Sequence, residues 1–188
     1  MPPADSRPPA PNLLLAGFMG TGKSALGRQL ARRWRRPFVD TDEAVERLAG
    51  MSIPELFEKH GEARFRELER EVVTSHLPDA GAVIACGGGL VIPEGMAELA
   101  RSKGVVVCLF ASVETILRRT AGNSRRPLLN GVDLETRVRE LMRSREQAYL
   151  RAGVAVYTDG RSLQQLCDIV GRVYDREARA LIRRDREG

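Results

Sequence analysis

The chain has 188 residues, 43% of them hydrophobic and 29% charged, with a formal net charge of +5. That composition describes one soluble globular domain, large enough to bury a core without disulfides or a structural metal, and it excludes a disordered chain. No run approaches membrane-spanning length, and Cys86, Cys108 and Cys167 are too widely spaced for a C-x-x-C pair or a disulfide framework.

Met1 to Pro11 carries five prolines and little that is apolar, which predicts a disordered leader over residues 1–11. Leu13-Leu14-Leu15-Ala16 then reads as a strand, Gly17 to Ser24 as a loop, and Ala25 to Trp34 as an amphipathic helix stopped by Pro37. Phe38-Val39 is a short second strand ending at Asp40-Thr41-Asp42, and the helix after it stops at Gly50. Ser52-Ile53-Pro54-Glu55 is a capping box with Pro in the first turn, starting a helix to about His60. Gly61 breaks that helix, and Glu62 to Ser75 forms a charged amphipathic one.

Ala82 to Ala85 is a third strand running into Gly87-Gly88-Gly89, and the unbroken apolar Val105 to Phe110 is a fourth, buried on both faces. Ser112 caps a helix to Thr120. Residues 121–133 have no periodicity, and a loop of that length inside a compact domain reads as a lid. A long helix, Leu134 to Leu150, leads to a strand at Val154–Thr158 and a last helix capped by Ser162. The domain is expected over 12–175, with 176–188 a charged, solvated tail. Strands alternating with helices predict an α/β fold with a parallel sheet covered on both faces.

Gly17-Phe18-Met19-Gly20-Thr21-Gly22-Lys23-Ser24 fills every fixed position of G-x-x-x-x-G-K-[ST] in the required strand–loop–helix setting. Glycines let backbone N–H groups close around a polyphosphate, and the helix N-terminus adds a positive dipole end. Lys23 reaches the β/γ-phosphates, and the Ser24 hydroxyl can ligate Mg²⁺. Arg occurs 27 times and Lys only three times, so composition alone would not have placed Lys at 23. The chain binds a nucleoside triphosphate. No late strand ends in an apolar run plus Asp, so the carboxylate on the Mg²⁺ side falls to Asp40. No N-K-x-D-like stretch exists to read guanine, which counts against a GTPase.

The arginines are mostly interspersed with acids, as in Arg64 to Glu71, and read as a solvated helix face rather than a nucleic-acid patch. Asp40 and Asp42 have a structural alternative, since acids at a helix start stabilise its dipole by roughly 0.3–1 kcal/mol each. Gly87-Gly88-Gly89 could be a tight strand-to-helix turn. Arg66 and Arg145, each taken alone, read as surface residues. With only the isolated His60 and His76, no transition-metal site can be assembled, and unpaired thiols suit a reducing, cytoplasmic setting.

Taken together, Gly17–Ser24, Asp40-Thr41-Asp42, Phe65-Arg66, Gly87-Gly88-Gly89, Arg126-Pro127-Leu128-Leu129 and Arg145 with Tyr149 resemble the shikimate kinase family, in order and spacing, over Asn12 to Val173. The Pro-rich leader and Arg-rich tail depart from that pattern. The resemblance implies a P-loop fold of the nucleoside-monophosphate-kinase type, with a five-stranded parallel sheet, helices on both faces and a lid loop. It implies ATP + shikimate → ADP + 3-phosphoshikimate with Mg²⁺, a step toward chorismate and the aromatic amino acids.

Residue by residue, it implies Gly20, Thr21, Gly22, Lys23, Ser24 and Ala25 around ATP, and Asp40 with Ser24 on Mg²⁺. Asp42 would hydrogen-bond the hydroxyl that is phosphorylated, Gly88 and Gly89 would approach shikimate through backbone, and Arg66 with Arg145 would clamp its carboxylate. Lid Arg126 would meet the transferring phosphoryl, and Arg119 and Arg161 would lie on the adenine side. Ile53, Phe57 and Phe65 would wall the ring, though core packing explains them equally well. The expected partners are small molecules, with no nucleic acid and no membrane, for a monomer. The rivals are another small-molecule P-loop kinase such as a gluconate kinase, a basic nucleic-acid-stimulated ATPase, and a non-catalytic binding paralogue. Intact Lys23, Asp40, Asp42 and Arg126 speak against the last.

Overall fold

The computed structural model of the chain describes residues 10–120 and 134–187, with side chains to residue 184. The expected leader, apart from its last two residues, and the expected lid with Arg126 lie outside the described residues.

β1 (Asn12–Gly17) is buried along its whole length, as its near-continuous apolar sequence requires of a central parallel strand. It pairs in parallel with β3 (Val83–Ala85) on one side and β4 (Gly104–Phe110) on the other, Leu14 lying opposite Ile84 and Val106. β2 (Phe38–Asp40) adds to β3 and β5 (Val154–Tyr157) to β4, giving the order β2-β3-β1-β4-β5. The strands alternate side chains across the sheet and so divide the core in two. Leu13 and Leu15 pack with Leu26, Leu30, Val170 and Tyr174, from helices α1 (Lys23–Trp34) and α7 (Leu163–Glu187). Leu14 and Ala16 pack on the opposite face, under α2 (Thr41–Ala49), α3 (Ile53–Glu71), α4 (Met96–Ser102), α5 (Val113–Thr120) and α6 (Leu134–Ala152). Each fully buried leucine contributes about 1.5–3 kcal/mol. Among the described residues this is a five-stranded parallel sheet with helices on both faces.

Local signals set most boundaries. Ser52 accepts from the Glu55 amide while Glu55 reaches back to the Ser52 amide, a complete capping box with Pro54 in the first turn. Gly50 ends α2 in the left-handed conformation, and α3 is broken at Gly61, where φ is 75° and ψ 178°. Directly after α3, Val72–His76 is wound as a π-helix. Ser162 Oγ accepts from the Gln165 amide at the start of α7.

Two elements differ from expectation. α4 has no counterpart in the sequence reading. Of its seven residues only Met96 and Ala100 are fully buried, with Ala97 and Leu99 packed partly against the core, and a helix this short is held by tertiary packing. α7 continues unbroken past residue 175, with Ala178 buried and Leu181 packed against the core.

Candidate active site

The strand ends and helix starts of this sheet meet at a cleft of about 860 Å³, within the range of small-molecule sites. Gly20, Gly22, Lys23, Ser24 and Ala25 line one side, at the N-terminus of α1, where the helix dipole favours an anion. Lys23 is 9% exposed. Its ammonium donates to the Gly17 carbonyl at 2.8 Å and the Phe18 carbonyl at 2.9 Å, so the cation is held folded across its own loop. Ser24 Oγ donates to Asp40 Oδ2 at 2.7 Å. Asp40, at the end of β2, is also the N-cap of α2, accepting the Asp42 amide on Oδ1 at 3.1 Å. The dipole role and the site position therefore belong to one residue.

Asp42 faces the triple-glycine segment. A Cβ added at Gly87 would lie 2.4 Å from Asp42 Oδ1 and 3.0 Å from Glu69 Oε1. One added at Gly89 would lie 2.9 Å from Arg66 Nη1. Backbone runs here against the charged ends of side chains from α2 and α3, and a side chain at Gly87 or Gly89 would have to displace them. Gly88 and Gly89 line the same cleft as Asp40, Asp42 and Arg66.

Arg66 and Glu69 form a unit that the sequence reading took for part of a solvated helix face, and that expectation is corrected here. Glu69 is 1% exposed. Its Oε2 accepts from Arg66 Nη1 at 2.6 Å, and Glu62 Oε1 accepts from Arg66 Nη2 at 2.8 Å. Burial pushes the Glu69 carboxyl up to about 7, against the opposing pull of Arg66. The Arg66 guanidinium is disfavoured by burial, yet its Glu69 and Glu62 partners outweigh this and raise its pKa. A usable sign of Glu69 existed. It lies four residues after Phe65 and one after Leu68, placing a carboxylate on the buried stripe of α3.

Arg145, on α6, reaches the cleft with its guanidinium carbon 5.7 Å from the Phe18 ring centre. Ile53, Phe57 and Phe65 form an apolar wall, the two phenylalanine rings 5.0 Å apart. Arg119 closes the other end, with Nη1 3.2 Å from the Gly20 carbonyl and 3.4 Å from that of Thr21.

Two expected residues stand apart. Thr21 turns its hydroxyl back onto the Phe18 carbonyl at 2.8 Å, and Arg161 is exposed, donating to the Tyr157 carbonyl. Neither lines the cleft. Tyr149 and Thr41, which contact the glycine segment, and Glu69 were assigned no role from sequence.

This geometry joins a phosphate loop to an acid-and-arginine pocket across one cleft. The family model for shikimate kinase matches residues 19–175. The chain is 44% identical over 164 residues to the shikimate kinase of Geobacter sulfurreducens, covering 87% of this chain and 88% of that protein. Its identity to the Deinococcus radiodurans shikimate kinase is 45% over 162 residues, covering 86% and 82%. Among solved structures, shikimate kinase from Acinetobacter baumannii in complex with shikimate superposes with TM-score 0.83 at 34% identity, covering 87% of this chain and 92% of that one. A gluconokinase from Sinorhizobium meliloti matches with TM-score 0.56 at 16% identity, covering 95% and 99%, a likeness of fold alone. The Lys23 loop, the Asp40–Asp42 turn and the Arg66 pocket thus sit in a chain that belongs to the shikimate kinase family.

Proposed function

We propose that this chain transfers the γ-phosphoryl group of ATP to the 3-hydroxyl of shikimate, giving ADP and 3-phosphoshikimate on the route to chorismate and the aromatic amino acids. The observation that carries the reading is the single cleft in which Lys23 and Ser24 face Asp42, Arg66, Gly88 and Arg145.

In this reading the α1 N-terminus and the Lys23 ammonium cradle the β- and γ-phosphates, where charge spreads during transfer. Arg66 and Arg145 hold the shikimate carboxylate, Arg66 in the fork geometry that only a planar guanidinium offers. Asp42 orients the attacking hydroxyl. The bond from that oxygen to the γ-phosphorus forms as the bond to the β,γ-bridging oxygen breaks, and the hydroxyl proton passes to the Asp42 carboxylate.

Ser24 and Asp40 would hold Mg²⁺. A hydroxyl and one carboxylate are hard donors, and no cluster of three or more His, Cys, Asp or Glu exists among the described residues. That donor set fits an ion that keeps waters and phosphate oxygens rather than an all-protein cage. When bound, the ion neutralises charge on the β- and γ-oxygens. The reading takes the enzyme as a cytoplasmic monomer acting on two small molecules without nucleic acid. Three buried, unpaired cysteines support the reducing compartment.

A pyruvate kinase–lactate dehydrogenase coupled assay with Mg·ATP tests it. ADP production that depends on shikimate and not on gluconate is expected. Equal production without shikimate would overturn the reading.

A further inference from the structure

Gly87, Gly88 and Gly89 carry three backbone donors and three acceptors, and four of these six groups are engaged inside the protein. The Gly87 carbonyl accepts from the Leu90 amide at 3.1 Å and the Gly89 carbonyl from the Ile92 amide at 3.0 Å, the local turns that carry the chain onward. The other two bonds come from side-chain hydroxyls far away in sequence. The Gly87 amide donates to Thr41 Oγ1 at 2.8 Å, and Tyr149 Oη donates to the Gly88 carbonyl at 2.5 Å. What is left over are the amides of Gly88 and Gly89, which have no acceptor among the described residues and sit in the wall of the cleft.

The two hydroxyls are themselves rigidly held. Thr41 is 0% exposed, wedged between Asp40 and Asp42 in the first turn of α2. Tyr149 is 3% exposed on α6, its ring edge-on to Phe110 with centres 6.2 Å apart. Burial keeps its phenol protonated, pushing the pKa up to about 12. Arg145, one turn earlier on the same helix, opposes that shift with its positive charge. The glycine segment is thus pinned from α2 at one end and from α6 at the other. Both anchors join it to elements that also bring site side chains, Asp42 on α2 and Arg145 on α6.

We propose that Thr41 and Tyr149 are positioning residues that hold the glycine segment so that the Gly88 and Gly89 amides present two converging donors to the phosphoryl acceptor. The proposal rests on the shikimate reading above. Neither hydroxyl touches the reacting atoms. Each acts through backbone that has no side chain to lock it and that would otherwise sample many conformations. The role falls on the acceptor side of the cleft, because both hydroxyls act on the glycine segment, which lies against Asp42 and Arg66.

The test compares Tyr149→Phe, Thr41→Val and Thr41→Ser with the parent, measuring KM for shikimate and for Mg·ATP separately, with thermal melts alongside. Tyr149→Phe keeps the ring packing on Phe110, and Thr41→Val keeps the branched shape. A neutral hydrogen bond lost from each should raise the shikimate KM roughly 3- to 10-fold. The Mg·ATP KM should stay within about twofold, and Thr41→Ser should restore the shikimate KM to within about twofold of the parent. Shikimate KM unchanged in the folded variants overturns the proposal. So does a parallel rise in both KM values, or a Thr41→Ser variant as impaired as Thr41→Val, since either marks a merely structural role. If Thr41→Val does not fold, Tyr149→Phe alone decides. A parent without shikimate-dependent turnover overturns the functional reading and this proposal together. A working parent with unshifted variants overturns the positioning role alone.

Discussion

Glu69 Oε2 accepts a hydrogen bond from Arg66 Nη1 at 2.6 Å, while the other oxygen of the same buried carboxyl, Oε1, has no hydrogen-bond partner among the described residues. A buried acceptor left unpaired costs about 1–3 kcal/mol, so a position like this is stable only if something else holds it or if a ligand completes it. Arg66 does the first, and Oε1 faces Gly87 in the wall of the cleft.

The raised Glu69 carboxyl makes stability depend on pH in a direction opposite to that of a salt-bridged surface acid. Its folded pKa is about 7 against an ordinary value of 4.5, so the folded state binds more protons between those limits. The contribution is therefore fully present below about pH 4.5 and is lost as pH rises through 7, up to about 3 kcal/mol in all. Glu69→Gln, neutral throughout, should remove that loss. The check is the Tm difference between parent and variant from pH 5 to 8, which should move against the parent up to about pH 7 and then level off. Parallel curves would mean the carboxyl titrates normally.

Lys23→Ala removes the cation folded over the phosphate loop, together with its bonds to the Gly17 and Phe18 carbonyls. The α/β core does not depend on it, so circular dichroism should match the parent. Turnover should fall roughly 10²-fold or more, in line with the loss of a preorganised electrostatic donor. A well-folded variant with near-normal kcat would place the phosphates elsewhere.

Asp40 and Asp42 are separable by substitution. Asp40→Asn keeps an N-cap side chain for α2, since Asn caps as well as Asp, so the fold should survive while the Mg²⁺ requirement rises. Asp42→Asn should leave Mg·ATP binding, read by calorimetry, intact. Its kcat should drop toward the lower part of the ~10²–10⁴-fold range for general-base help, because the loose transition state asks little of a base. Turnover within about threefold of the parent, or Mg·ATP binding lost first, would reverse these roles.

Arg66 has five N–H donors, of which three already serve Glu62 and Glu69. One N–H on each terminal nitrogen is left for a carboxylate, and that edge of the guanidinium lies over Gly89. Lysine has three donors on one point and cannot meet two acids and a substrate in a plane. Arg66→Lys should raise the shikimate KM by roughly 10-fold, with Mg·ATP little affected. An effect on ATP alone would place Arg66 on the wrong side of the cleft.

Legibility in the sequence followed the range of the interaction. The phosphate loop, the Ser52–Glu55 capping box and the stops at Gly50 and Gly61 are made by groups within a few residues of one another, so their spacing declares them. The two-faced burial of β4 was equally plain, because a strand covered on both sides has no polar face to hide. α4 was not legible, since one buried pair in seven residues sets no period.

The site divides along the same line. By itself the sequence marked Gly17–Ser24 as a phosphate loop and put Asp40 beside it, and Ser24 Oγ does meet Asp40 at 2.7 Å. Only the tertiary structure decided how the acceptor side is built. Thr41 meets Gly87 across 46 residues and Tyr149 meets Gly88 across 61, and both contacts exist because α2, α6 and the chain leaving β3 come together on one face of the sheet. Glu69 looked like one charge among many on a helix until packing removed its water. Whether a charged side chain is solvated or buried is fixed by what packs over it, and a residue's neighbours in sequence do not carry that information.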